Sequence, residues 1–120
     1  MIRYERDEAL ELRVRGIAQK LQLRHDMTRI ACIRSTGSKA RRTLARCHAL
    51  PRVMQLALGV KAHYAIEVIA EQFDRLPPDE QAKTVIHELM HIPERMKGGF
   101  RQHDYVCRKN VEKMYKEFLK

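Results

Sequence analysis

The sequence predicts an α+β fold built around one hydrophobic core, and three observations indicate this class. Apolar residues recur at helical spacing near both ends of the chain and again over residues 78–92. Residues 28–35 and 62–70 instead alternate in character and are rich in β-branched side chains, as strands are. The chain has 120 residues, of which 44% are hydrophobic. That length suffices for one core, so we expect a single domain over residues 1–120.

The N-terminal part of the chain is expected to supply a helix and then a strand. Over residues 4–22 charged residues separate apolar residues at helical spacing, which predicts an amphipathic helix. Its apolar stripe consists of Leu10, Val14, Ile17, Ala18 and Leu21. Residues 28–35 predict a short strand that ends at the turn-forming sequence STGS.

The middle of the chain is less regular. The apolar residues of segment 39–59 fit a helix and strand segments about equally, and Pro51 interrupts any continuous element. Residues 62–70 favour a strand with Tyr64, Ile66 and Val68 on one face, with a buried helix as the alternative.

A second helix is expected to begin at Pro78, which suits the first helical position. Asp79 and Glu80 favour the same end because they complement the positive end of the helix dipole. The helix should end near Ile92, since Pro93 lacks an amide hydrogen and disfavours helical geometry in the residue before it.

A closing helix is predicted from about residue 104 to residue 119, after Gly98 and Gly99 permit a tight reversal of the chain. Its apolar stripe consists of Val111, Met114, Tyr115 and Phe118.

Composition argues against several classes of protein. The N-terminal residues carry charges throughout, and no run of about 18 apolar residues occurs. We therefore expect a soluble, cytoplasmic protein without a membrane partner. Three cysteines, Cys32, Cys47 and Cys107, form no CxxC pair, which favours free thiols over a disulfide framework or a zinc ribbon.

The sequence HELMH, residues 87–91, predicts a metal site. His87 and His91 are four residues apart, so on a helix both imidazoles project from the same side, as two ligands of one metal must. Glu88 lies beside them. An apolar stripe falls on the opposite side of the helix, which lets the histidines face an open cleft. That stripe consists of Ala82, Val85, Ile86 and Leu89.

A catalytic zinc ion takes three protein ligands and leaves the fourth position for water. His103 is the preferred third ligand, because the stop at Pro93 and the reversal at Gly98 and Gly99 allow the chain to double back. The alternatives that remain open are Glu94, Asp104, Cys107, Glu112 and Glu117. The other histidines, His25, His48 and His63, are expected to be surface or satisfied core residues.

Such a zinc site predicts hydrolysis of a peptide bond in a peptide or protein substrate. Zinc lowers the pKa of a bound water, and Glu88 is the expected general base, which takes the water's proton and passes it to the leaving amine. If the strand at 62–70 lies at a sheet edge beside the cleft, it can bind an extended substrate by strand addition. Metal-assisted hydrolysis of a non-peptide amide is a further possibility.

A different class of function is indicated by the net charge of +9 and by a basic run in the middle of the chain. The run comprises Arg34, Lys39, Arg41, Arg42, Arg46 and Arg52. These side chains can contact phosphates, so the alternative is a nucleic-acid-associated module with a structural or vestigial zinc site. A solvated basic face is the commoner explanation of such a run, and few aromatic residues are interleaved with it for base stacking.

Residues 67–106, EVIAEQFDRLPPDEQAKTVIHELMHIPERMKGGFRQHDYV, resemble the small metallopeptidases of archaea and phages. Their pattern is an HELxHIP helix, a Gly-Gly turn and a later histidine, and a more distant similarity is to the SprT-like zincins. The resemblance implies a zincin-like α+β fold with an N-terminal helix, a small, mainly antiparallel sheet, an HExxH helix and a C-terminal helix. It further implies zinc at His87, His91 and His103, with Glu88 as general base. The CxxC pairs of many SprT-like proteins are absent.

Overall fold

The computed structural model describes all residues from 1 to 120 and shows an α+β fold around a four-stranded sheet. The spatial order of the strands is β1-β2-β4-β3. The strands are β1 (Arg3–Arg6), β2 (Ile30–Thr36), β3 (Ala45–Ala49) and β4 (Tyr64–Ile69).

Five helices accompany the sheet. They are α1 (Glu8–Lys20), α2 (Arg52–Leu58), α3 (Ala70–Phe73), α4 (Pro78–His91) and α5 (Arg108–Leu119). A single 3₁₀ turn, Met27–Arg29, leads into β2. No helix is both long enough and apolar enough to cross a membrane.

The sheet is mixed. Strand β2 pairs with β1 in the antiparallel sense and with β4 in the parallel sense, whereas β3 pairs antiparallel with β4. Two of the three pairings are thus antiparallel, and the α+β class with a small sheet is confirmed. The strand predicted at 62–70 is found as β4, but it lies inside the sheet. The suggestion that it forms an edge beside the cleft is wrong, because β3 covers its free side.

The core lies between one face of the sheet and the helices. Ile66 and Val68 of β4 are fully buried, as are Val85 and Leu89 of α4 and Val14 of α1. The apolar stripe predicted for α4 is therefore the face that holds this helix on the sheet. Burial of each such side chain contributes about 1.5–3 kcal/mol, which fixes the orientation of the opposite face as well.

The starts of two helices differ from the sequence-based predictions. The N-terminal helix begins at Glu8, not at residue 4, because residues 3–6 pair with β2 and the Asp7 side chain caps the helix by accepting a bond from Leu10 N at 2.9 Å. The C-terminal helix begins at Arg108 rather than near 104, after a turn. For segment 39–59 the sequence left helix and strand open, and the structure contains both, since β3 ends at Ala49 and α2 follows Pro51.

Candidate metal centre

Helix α4 presents its two histidines on the side away from the core. Its ends are fixed locally, since Pro78 is the first helical residue and Ile92, before Pro93, is already extended. His87 and His91 are half-buried, and their ring centroids lie 5.0 Å apart. Because the apolar stripe is buried on the sheet, these two imidazoles face the open side of the helix.

The chain after α4 folds back against the end of the helix. Gly98 and Gly99 have φ angles of 101° and 75°, a region that residues with a side chain rarely occupy. The backbone N–H of Arg101 donates to the carbonyl of His91 at 2.7 Å. Tyr64 of β4 holds the same loop by donating from its hydroxyl to the carbonyl of Gly99 at 3.0 Å. The loop is thereby tied to both α4 and the sheet.

This return brings His103 to the other two histidines. One ligand nitrogen from each of His87, His91 and His103 lies within 4.8 Å of the others, so the group can hold a metal ion. The Nε2 atoms of His87 and His91 are 3.3 Å apart. His91 Nδ1 donates to the carbonyl of Arg101 at 2.8 Å, which leaves its Nε2 lone pair free. The donor set fits a metal that prefers nitrogen ligands.

The histidine cluster favours neutral imidazoles, the form that ligates metals. Partial burial lowers the pKa of His87 from its ordinary value, and the neighbouring His91 and His103 lower it further because like charges repel. A proton on this ring would compete with a metal ion for the same lone pair.

None of the other proposed third ligands belongs to this group. Glu94 accepts a bond from the backbone N–H of Arg24 at 2.9 Å, and Glu112 lies 3.1 Å from Lys83. Glu117 pairs with Lys120, and Asp104 accepts from the amide of Tyr105. Cys107 is the residue before α5, and its side chain makes no capping hydrogen bond.

The three remaining histidines also lie outside the group and have partners elsewhere. His25 donates from Nε2 to the carbonyl of Ile92, and His48 pairs with the buried Glu67, each at 2.7 Å. His63 donates from Nδ1 to the carbonyl of Lys61. The contacts of His48 and His63 agree with their expected roles as surface or satisfied residues, whereas His25 leaves its buried Nδ1 without a hydrogen-bond partner.

Glu88 is buried between the histidines and the sheet, with only 7% of its surface exposed. This burial raises the pKa of its carboxyl to about 7, and burial is the sole cause of the shift. A carboxyl group with a pKa near neutrality both accepts and releases a proton at physiological pH.

Two cavities meet at Glu88. The smaller, about 230 Å³, is lined by His91, His103, Cys47 of β3 and residues 100–102 of the returning loop. The larger, about 480 Å³, extends from His87 and Glu88 between the start of β3, helix α4 and the start of α5. The candidate site is therefore an open cleft with Glu88 at its middle.

Strand β3 and Phe100 are parts of this cleft that the sequence did not indicate. Cys47 lies beside Glu88, and burial with the nearby carboxylate raises the pKa of its thiol to about 12. The Phe100 ring contacts those of His91 and Tyr64, with centroid distances of 6.4 and 6.1 Å. No local sequence signal marks either residue, because their proximity depends on strand order and loop path.

The basic residues of the middle segment do not form one surface. Arg34 lies 3.0 Å from Asp7 and 2.6 Å from Asp74, so its guanidinium is already paired. The registers place Arg34 beside Val68 and Arg46 beside Glu67, which are on opposite faces of the sheet. Lys39 and Arg41 are exposed in the loop before β3 and Arg52 on α2, whereas Arg42 lines the larger cavity.

The fold and the cluster define a small α+β protein with a candidate metal centre, and comparison with known proteins agrees. The model of a family described as "putative phage metallopeptidase" matches residues 2–119, so the chain belongs to this family. The resemblance seen over residues 67–106 is thus confirmed at family level and extended to nearly the whole chain. No curated protein and no solved structure matches the sequence.

Proposed function

We propose that the protein is a zinc-dependent metallopeptidase that hydrolyses peptide bonds of a peptide or protein substrate. The observation that supports this most is the meeting of three imidazole nitrogens within 4.8 Å in a cleft that also contains a buried carboxyl group, Glu88. Membership of a metallopeptidase family supports the same reaction class.

His87, His91 and His103 are the proposed zinc ligands. Three neutral imidazoles suit zinc better than calcium or magnesium, which prefer oxygen ligands. When bound, zinc polarises the substrate carbonyl and lowers the pKa of a coordinated water towards neutrality. The hydrogen bond from His91 Nδ1 to the carbonyl of Arg101 fixes the ring so that its Nε2 remains available as the metal ligand.

Glu88 is the proposed general base. Its carboxylate receives a proton from the attacking water and then delivers that proton to the nitrogen of the leaving amine. The burial that raises its pKa to about 7 suits both halves of this transfer, because a carboxylate at its ordinary value of 4.5 is a weaker base and would take the water's proton less readily.

The free edge of β3 is the proposed binding surface for the substrate backbone. On the side facing β4, Ile69 N donates to the carbonyl of Leu44 at 3.0 Å and Leu50 N to that of His63 at 2.9 Å. Antiparallel pairing alternates, so the backbone groups of Ala45, Cys47 and Ala49 point away from β4. A substrate strand added there would lie beside Glu88, since Ala45 and Cys47 line the two cavities.

The test is digestion of a peptide library by the zinc-loaded protein, with products mapped by mass spectrometry. Glu88→Gln keeps the shape of the side chain and removes its ability to take a proton, so turnover should fall by about 100-fold or more while zinc remains bound. Equal cleavage by both proteins would exclude Glu88 as the base, and no cleavage by the wild type would refute the peptidase.

The nucleic-acid-associated alternative receives no support from a specific contact, since Arg34 is paired with Asp7 and Asp74, and Arg46 lies 3.6 Å from the buried Glu67. The cytoplasmic location and the distant similarity to SprT-like zincins stay predictions.

A further inference from the structure

The larger cavity beside Glu88 contains positive charge that the reaction itself does not require. Arg42, from the loop before β3, and Arg108, the first residue of α5, line it from two sides. Neither guanidinium is engaged in an ion pair or a side-chain hydrogen bond. The two residues are 66 positions apart in the sequence, so only the fold brings both to the same cavity.

The other charged residues of the cavity are largely compensated by one another. Lys83 lies 3.1 Å from Glu112 and 3.5 Å from Glu80, so one ammonium group faces two carboxylates. The triplet carries one net negative charge, the two arginines carry two positive charges, and Glu88 adds one negative charge when it is ionised. The positive charge without an ion-pair partner is that of the two guanidinium groups, whose planar donors match a carboxylate in pairs.

The position and size of the cavity indicate what can enter it. It opens directly from His87 and Glu88, where the scissile bond is expected. Its volume of about 480 Å³ is within the range of small-molecule sites and accommodates one or two residues of a peptide. Only three of the eleven lining residues are hydrophobic, so the cavity is not suited to a large apolar side chain.

We propose that this cavity selects substrates that place a carboxylate next to the scissile bond, and that Arg42 and Arg108 bind that carboxylate. The group is either an Asp or Glu side chain or the C-terminal carboxylate of the substrate. The proposal rests on the peptidase function proposed above and adds a substrate class to it. Arg42 and Arg108 act as specificity residues, because they touch the substrate away from the reacting atoms.

The first experiment maps cleavage sites of the zinc-loaded wild type in a peptide library. Either Asp and Glu or the C-terminus of the peptide should be enriched within two positions of the cleaved bond, on one side of it. Matched peptides that carry Glu or Gln at that position, and a free or amidated C-terminus, then separate the two sources of the carboxylate. We expect a preference of about tenfold for one of the two charged forms, the value that one charge-assisted contact supports.

Charge-reversal variants test whether Arg42 and Arg108 bind the substrate carboxylate. Arg42→Glu and Arg108→Glu together should abolish the preference for acidic peptides and favour Lys or Arg at the same position. Lys39→Glu and Lys109→Glu together are the matched control: they make the same total change of charge near Arg42 and Arg108 in the sequence, on exposed side chains that do not line the cavity. The control should keep the wild-type preference, which separates a local contact from the effect of net charge.

A binding measurement keeps the result independent of turnover. The Glu88→Gln protein should bind the preferred charged form, either Glu over Gln or the free over the amidated C-terminus, about tenfold more tightly than its neutral counterpart, and this difference should vanish when both arginines are changed to Ala. Cleavage without any acidic or C-terminal preference would overturn this proposal and leave the peptidase intact. Absence of cleavage of every peptide would instead refute the peptidase on which the proposal depends.

Discussion

At the scale of single residues, neighbours on one helix have opposite environments. His91 is held by a hydrogen bond to the carbonyl of Arg101 and turns its other nitrogen to the cleft. Glu88, three positions earlier, is buried, and burial alone determines its pKa. The sequence predicted that His87 and His91 share one side of α4, because the periodicity of a helix is local. It did not predict the burial of Glu88, which depends on the packing of the sheet.

The burial of Glu88 predicts that the metal-free protein becomes less stable as the pH rises. The carboxyl has a pKa of about 7 in the folded chain against an ordinary 4.5, so the folded state holds the extra proton between these values. The free energy of unfolding should therefore fall as pH rises from 4.5 to 7 and stay constant above, with a total loss of roughly 2–4 kcal/mol from this group.

Glu88→Gln removes this loss of stability, since the amide does not ionise. In metal-free samples the variant should unfold at higher urea concentration than the wild type at pH 8, and the gap should close towards pH 4. A variant less stable than the wild type at pH 8 would show that the carboxylate is stabilised by a contact that the structure does not contain.

At the scale of elements, the loop that follows α4 brings the third histidine into the cluster. Gly98 and Gly99 both have positive φ, and an added Cβ at Gly99 would meet no atom within 4 Å. A side chain at either position would therefore cost backbone conformational energy rather than cause a clash, about 1–2 kcal/mol for each position.

Gly98→Ala and Gly99→Ala together should weaken metal binding more than they disturb the rest of the fold, because His103 depends on this reversal. Zinc affinity, measured by competition with a chelator, should fall by about tenfold or more. Gly16→Ala is the control: it lies inside α1 with free space around it and should stabilise the protein by about 0.5–1 kcal/mol without changing affinity. Unchanged zinc affinity in the double variant would contradict the role of the loop.

The edge strand supplies a second prediction at this scale. Ala45 is the first residue of β3, and its N–H points away from β4. Ala45→Pro should therefore leave the sheet intact while removing one substrate hydrogen bond, so that kcat/KM falls by about fivefold. Arg46→Pro removes a bond to β4 instead and should lower thermal stability. If Ala45→Pro cleaves peptides as well as the wild type, the substrate does not pair with β3 at this position.

The elements also show what the sequence could not predict. Helices α1, α4 and α5 follow from apolar stripes, and β2 and β4 from β-branched residues. Strand β1, with the sequence RYER, has no apolar alternation and was included in the predicted helix, because only its pairing with β2 defines it. The order β1-β2-β4-β3 depends on contacts between distant segments, and this order determines which strand forms the edge beside the cleft.

At the scale of the whole molecule, the candidate site combines parts with different origins. Helix α4 is fixed by the core, the returning loop is fixed by hydrogen bonds to α4 and β4, and the edge strand is fixed by the sheet. The chain has a net charge of +9, and Arg42, Lys83 and Arg108 are the basic residues that line the larger cavity beside Glu88. Family membership over residues 2–119 means that the N-terminal strand and helix belong to this arrangement as well.

The most direct test of the central claim is the metal content of the protein, purified without added metal, for the wild type, His103→Ala and His63→Ala. Mass spectrometry of the metals should find one zinc per chain in the wild type and in His63→Ala, whose histidine lies outside the cluster. His103→Ala should lose the metal or bind it at least tenfold more weakly. A wild type without zinc, or a His103→Ala variant that retains it with equal affinity, would contradict the three-histidine site.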